Sequence, residues 1–162
     1  MTATIELVRE RGVHGAGLAD VLERAGTARG SVYQHFPEGK GQLVAEAVRV
    51  AGGHLERLMA EHDEPVAMVD ALLAWWSREI DRHGGRRGCP IAAAAVDPDP
   101  VVNAAALEVF ARLHRRLADA TGDAGLAGFV LSAVEGAVLR SRVTGDTAAL
   151  DEVRTQARAL LG

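Results

Sequence analysis

The stretch Gly17-Leu18-Ala19-Asp20-Val21-Leu22-Glu23-Arg24-Ala25-Gly26-Thr27-Ala28-Arg29-Gly30-Ser31-Val32-Tyr33-Gln34-His35-Phe36-Pro37 decides the fold. Leu18, Val21, Leu22 and Ala25 recur at i, i+3, i+4 and i+7, the spacing of one helix face. Gly26 supplies a turn conformation that a side chain would resist. Beyond it a second short helix carries Val32 and Phe36, four residues apart. These are expected to bury against Leu18, Val21 and Leu22 and so fix the angle between the two helices. The remaining positions on the second helix, Arg29, Gly30, Ser31, Tyr33, Gln34 and His35, are small, polar, basic or aromatic. The pattern reads as helix, tight turn, helix, with a polar face left outward.

That outward face suits duplex DNA. An arginine at 29 has the fork geometry for guanine, and a glutamine at 34 can pair with adenine. Ser31 and Tyr33 can donate to phosphates, and Gly30 lets the backbone approach the duplex. Lys40, the only lysine in the chain, starts the next helix, where its charge and the helix N-terminus both attract a phosphate. The candidate DNA contacts are Thr27, Arg29, Gly30, Ser31, Tyr33, Gln34, His35 and Lys40.

The rest of the chain keeps the helical period. No run alternates apolar and polar residues as a strand would, and about nine helices are expected in an all-α fold. Leu43, Ala47, Val50, Leu58 and Met59 mark a long helix weakened by Gly52-Gly53. Pro65 suits a first helical turn. After it, Val69, Leu73, Trp76 and Ile80 lie on one face and Met68, Leu72 and Trp75 on another, so this helix should be buried on two sides or line a cavity. Gly84-Gly85 ends it. Gly88-Cys89-Pro90 leads into a short alanine-rich helix closed by Asp97-Pro98-Asp99-Pro100. Ala106, Phe110, Leu113 and Leu117 follow on another helix, broken at Gly122. Residues 126–143 are apolar nearly all round, and residues 150–161 form the last helix. We assign residues 1–38 to a helix-turn-helix head and 39–162 to a helical body for effector binding and dimerisation.

The body's composition suggests what it binds. Met68, Leu72, Trp75, Phe110, Leu113 and Phe129 are the candidate lining of a pocket between the helices at 65–83, 100–121 and 123–144. With no buried-looking charge cluster there, a small apolar effector is expected. A helix apolar all round cannot face water, so a homodimer through 126–143 and 150–161 is expected.

The charge balance and the motifs that are missing narrow the function. Net charge is −4, yet residues 1–50 carry six basic groups (Arg9, Arg11, Arg24, Arg29, Lys40, Arg49) and six acidic ones. The acidic excess lies wholly in the remainder, and a neutral head on an acidic body permits DNA binding by the head. There is no Gly-rich phosphate loop, no GxSxG and no HExxH, so an enzyme is not expected. His54, His62, His83 and Cys89 lack ligand spacing, so neither a metal nor another cofactor is expected. The single cysteine precludes an internal disulfide and fits a reducing compartment, with Cys89 as a buried thiol. No apolar run of about 18 residues lacks a charge, and the start has no signal-peptide pattern, so no membrane span and a cytoplasmic location are expected.

The string Arg29-Gly30-Ser31-Val32-Tyr33-Gln34-His35-Phe36, followed by Lys40 and Leu43, resembles the TetR family of bacterial repressors. Phe36-Pro37-Glu38-Gly39-Lys40, Gly88-Cys89-Pro90, Glu135-Gly136-Ala137-Val138-Leu139 and Ser141-Arg142 are similar to its LmrA/YxaF-like subgroup. The resemblance implies nine helices, three of them in a DNA-binding head, and a homodimer through the last two long helices. It also implies an effector pocket in the body, whose occupation moves the fourth helix and spoils the spacing of the two recognition helices. A repressor released from a pseudo-palindromic operator by its effector is the function expected. The competing reading is a helical dimerisation or adaptor protein of the same fold with weak or lost DNA binding. Two departures from the family are visible. Ala16 stands where a Ser or Thr cap is usual, at a cost of about 1 kcal/mol. The first helix, offering Ala3, Leu7 and Val8 to the core, begins about two turns late and without a basic arm.

Overall fold

Proline and glycine punctuate this chain where its helices begin and end. The structure is a computed structural model that describes the backbone of residues 1–162 and every side chain except those of Arg29 and Ser31. The described residues form nine α-helices and no strand: α1 (Thr2–Gly15), α2 (Leu18–Ala25), α3 (Arg29–His35), α4 (Lys40–Ala60), α5 (Pro65–His83), α6 (Pro90–Ala95), α7 (Pro100–Thr121), α8 (Ala124–Thr144) and α9 (Ala148–Leu161). Pro65 opens α5 and Gly84 closes it with φ 55° and ψ 43°. The Asp123 carboxylate caps α8 by accepting from Leu126 N–H at 3.0 Å.

The chain divides into two compact units, Met1–Gly53 with Pro90–Phe110, and His54–Cys89 with Ala111–Gly162. Both α4 and α7 contribute residues to each. In the first unit α1 packs on α2 and α6. Leu7, Val8 and Val13 of α1, Leu43, Val44 and Val48 of α4, Ile91 and Ala94 of α6, and Val102, Ala105 and Val109 of α7 are all buried. Ala3 is only half-buried, and the turn around Gly12 departs from helical geometry at φ 73° and ψ 176°. Gly52 is buried because α7 comes in against it. A Cβ there would stand 2.4 Å from Val109 Cγ1 and 2.6 Å from Cγ2. Arg49 joins the same two helices, donating to both carboxylate oxygens of Glu108 at 2.8 and 3.3 Å and to Glu46 at 3.0 Å.

Two sequence expectations change here. The periodicity places Val50 on the core face of α4, but it is 48% exposed; Leu55 is buried in its place. The inward stripe runs through Val44, Val48, Gly52, Leu55 and Met59, and Val50 lies across the helix from it. Ala16 does not cap α2. Its N–H donates back to Gly12 and Val13 at 3.1 and 3.3 Å, closing α1, while Gly17 is the N-cap, its carbonyl accepting from Val21 N–H at 3.0 Å. Ala16 is buried at 1% exposure, a position that suits a methyl and not a hydroxyl.

In the second unit α8 packs along α9 and α5, and α5 along α9. The reading of α5 as buried on two sides holds. Val69, Leu73, Trp76 and Ile80 are buried on one face, and Met68 and Leu72 on the other. Asp70 of α5 receives both Arg158, at 2.7 Å, and Arg154, at 3.7 Å, from α9. Helix α8 buries Ala127, Val130, Val134, Ala137, Val138 and Ser141. Phe129, Leu139 and Val143 face outward at 61, 64 and 81% exposure. By length and composition alone α8 is apolar enough to cross a membrane, although it carries Glu135, Arg140 and Arg142.

Candidate nucleic-acid interface

Helix α2 ends in a double hydrogen bond that aims the next helix. Gly26 sits at φ 61° and ψ 34°, its N–H donating to Glu23 at 3.2 Å, while Thr27 N–H reaches Leu22 at 3.1 Å. This is a Schellman closure, and it needs the left-handed residue that only glycine adopts without cost. The chain then extends at Ala28 (φ −79°, ψ 148°) and enters α3. Val21 and Val32 are buried, with Leu18, Leu22 and Phe36 half-buried around them. One side of α3 is thereby committed to the core.

The other side is open. Thr27, Gly30, Tyr33, Gln34 and His35 are all exposed, Tyr33 at 48%. A Cβ at Gly30 would meet nothing within 4 Å, so the backbone there is accessible to a large partner. The base and phosphate contacts expected of Arg29 and Ser31 fall on side chains outside the described residues. Lys40 is half-buried, and its Nζ donates to the Val13 carbonyl at 2.8 Å, near the C-terminal end of α1. Its charge therefore also stabilises that helix end.

Most of the head's other cations are structural too. Arg24 bridges α2 to α1 through Glu10 at 2.8 Å and Glu6 at 4.0 Å, and Arg11 meets Asp20 at 3.6 Å. Arg9 is buried. Among the described residues, the side chains that α3 leaves exposed are thus mainly neutral polar ones. Such groups discriminate by hydrogen-bond geometry more than by bulk charge.

The expected effector residues separate. Met68, Leu72 and Leu113 are buried in the second unit. Trp75 is half-buried, its ring 4.6 Å from that of Trp76 and 5.1 Å from that of His54, and Phe110 is half-buried. Phe129 faces outward beside a groove it shares with Val153, Ala157 and Leu160 of α9, and it lines no interior. Carboxylates also pack within this unit. Glu135 accepts from the Cys89 thiol at 3.2 Å, and burial pushes its carboxyl above the usual range, with the thiol hydrogen bond opposing. Glu79, which is buried, lies 3.8 Å from His83, which is 3.4 Å from Arg87. The sequence marks both Gly88-Cys89-Pro90 and Glu135-Gly136 but carries no signal that they meet across 46 residues.

Comparison with known proteins adds a decisive observation. The family model for bacterial regulatory proteins of the tetR family matches residues 1–47, and that for the C-terminal domain of LmrA/YxaF-like transcriptional regulators matches residues 65–156. The chain belongs to the TetR family. It is 37% identical to a helix-turn-helix-type transcriptional regulator of Mycobacterium tuberculosis, over 96% of this chain and 88% of that protein. It is 29% identical to the transcriptional regulator LmrA of Bacillus subtilis, over 60% of this chain and 54% of that one. Its fold is shared with a TetR regulatory protein of Rhodobacter sphaeroides at a TM-score of 0.81, 24% identity and coverage of 97% and 94% of the two chains. This TetR-family chain is therefore a DNA-binding transcriptional regulator, of a class that is not enzymatic. Members of the family bind DNA and act as dimers.

Proposed function

We propose that this chain is a ligand-responsive repressor. Residues 1–38 act as the DNA-reading head and residues 39–162 as the effector-binding and dimerising body. Two copies pair through residues 126–143 and 150–161 and set their α3 helices in successive major grooves of a pseudo-palindromic operator. The observation that carries the reading is the division of α3, with Val32 buried and Gly30, Tyr33, Gln34 and His35 exposed. Arg29 reads a guanine and Gln34 an adenine, and Lys40, Ser31 and Tyr33 hold the backbone. A small apolar effector lies against Met68, Leu72, Trp75 and Leu113 and releases the operator by binding more tightly to the DNA-free state. The protein works in the cytoplasm.

The test is selection of duplexes from a random pool by the unmodified chain, followed by titration of the selected site. Arg29→Ala should cost about 1–3 kcal/mol and relax one position in each half-site. An Arg29→Ala protein with unchanged affinity and unchanged preference would refute the assignment of α3.

A further inference from the structure

We propose that the Asp97-Pro98-Asp99-Pro100 corner is a seat for the first turn of α4, with Asp99 as the positioning residue that sets where the recognition helix stands. The proposal rests on the DNA-binding reading of α3 and concerns only residues within the first compact unit.

Helix α3 and the first turn of α4 are tied as one piece. Gly39 N–H donates to Phe36 at 2.9 Å, Leu43 N–H to Gly39 at 3.2 Å, and Glu38 N–H to the Gln42 side chain at 3.1 Å. Whatever fixes Lys40–Leu43 therefore fixes α3. Lys40 is held from one side by the Val13 carbonyl. From another side the Asp99 carboxylate comes down on Gly41, where a Cβ would lie 2.5 Å from Oδ2 and 3.4 Å from Cγ. A side chain at 41 would have to displace that carboxylate.

The carboxylate itself is immobilised. Asp99 Oδ1 accepts from Val101 N–H at 2.9 Å, capping α7, and the Asp99 carbonyl accepts from Asn103 N–H at 2.9 Å. Asp99 N–H donates to Asp97 Oδ1 at 3.0 Å, and buried Asp97 has its second oxygen 3.9 Å from His14 Nδ1. The Asn103 amide reaches back to Ala95 at 2.7 Å, and the prolines on either side of Asp99 restrict φ. Next to this contact a cleft of about 190 Å³ opens among Val13, Val44, Pro98 and Val102. The touch of Asp99 on Gly41 thus acts as a local stop for α4 at the edge of this cleft.

The test uses the full chain and the duplex it selects from a random pool. Gly41→Ala drives a methyl into the carboxylate, and Asp99→Ser keeps a capping oxygen but withdraws the stop. Each should weaken binding at least about fivefold, the loss of a base contact, and shift the preferred spacing between half-sites in a fresh selection. The double variant Gly41→Ala/Asp99→Ser fits a methyl where the carboxylate was, and should recover both affinity and spacing. Thermal unfolding of all four proteins accompanies the titrations, because a purely structural role would lower the midpoint without moving the spacing or being rescued. Unchanged spacing preference in both single variants, or a double variant as weak as the two losses combined, would overturn the proposal. An unmodified chain that selects no duplex would instead refute the DNA-binding reading itself.

Discussion

Replacing Gly52 by alanine should destabilise this protein, although alanine is the better helix former by about 1 kcal/mol. The methyl would stand 2.4, 2.6 and 3.1 Å from Cγ1, Cγ2 and Cβ of Val109, which is fully buried. Carbon atoms pack at about 3.5–4.0 Å, so α4 and α7 must part by roughly 1 Å. Overpacking of this kind costs about 1–3 kcal/mol, leaving a net loss near 1 kcal/mol, or about 2–4 °C for a chain of this length. Val109→Ala alone removes two buried methyls and leaves a void, for a loss of about 2 kcal/mol. In that background the methyl added by Gly52→Ala fills the vacated space, and the substitution should stabilise by about 1 kcal/mol. The sign reversal corresponds to a coupling of about 2 kcal/mol. Urea unfolding of the four proteins at one fixed concentration reads it, since dimerisation makes stability concentration-dependent. A Gly52→Ala effect of the same sign and size in both backgrounds would show that the close approach does not exist.

Three further outcomes are expected. Ala16→Thr buries a hydroxyl and should cost at least about 1 kcal/mol, whereas Gly17→Ser places an oxygen at the true N-cap of α2 and should gain a few tenths; the reverse order in urea unfolding would return the cap to Ala16. Glu135 has a folded pKa above its ordinary value of 4.5, so it binds its proton more tightly when folded and costs stability as pH rises through that value and beyond. Glu135→Gln should therefore raise the unfolding midpoint at neutral pH, with the gain shrinking as pH falls towards 4.5 and absent below it, and a gain that grew on acidification would contradict the burial argument. Leu139→Glu places a charge in the exposed apolar stripe of α8 and should convert dimer to monomer by light scattering while leaving the helical circular-dichroism signal intact; an unchanged dimer would move the interface elsewhere.

Much of this architecture was legible in the residues alone. Helix punctuation by Pro65, Gly84, Pro100 and Gly122 is a local matter of φ and missing donors, so it survives into the fold unchanged. The same holds for the Gly26 turn and the two faces of α3 and α5, because periodicity records which side of a helix avoids water. What tertiary structure decided is which of several apolar sides meets a neighbour, and which polar groups meet across long separations. Val50 and Phe129 are as apolar as the residues beside them, yet the close approach of α7 at Gly52 and the packing of α8 on α5 and α9 leave both outside. Ala16 sits where a cap was expected, but the last turn of α1 claims its N–H and moves the cap to Gly17. Glu135 meets Cys89, and Asp99 meets Gly41, at separations where no local period operates. A helix's amphipathic pattern is set by the neighbouring turns of its own backbone, whereas the partner of a half-buried carboxylate is set by how other helices cross it.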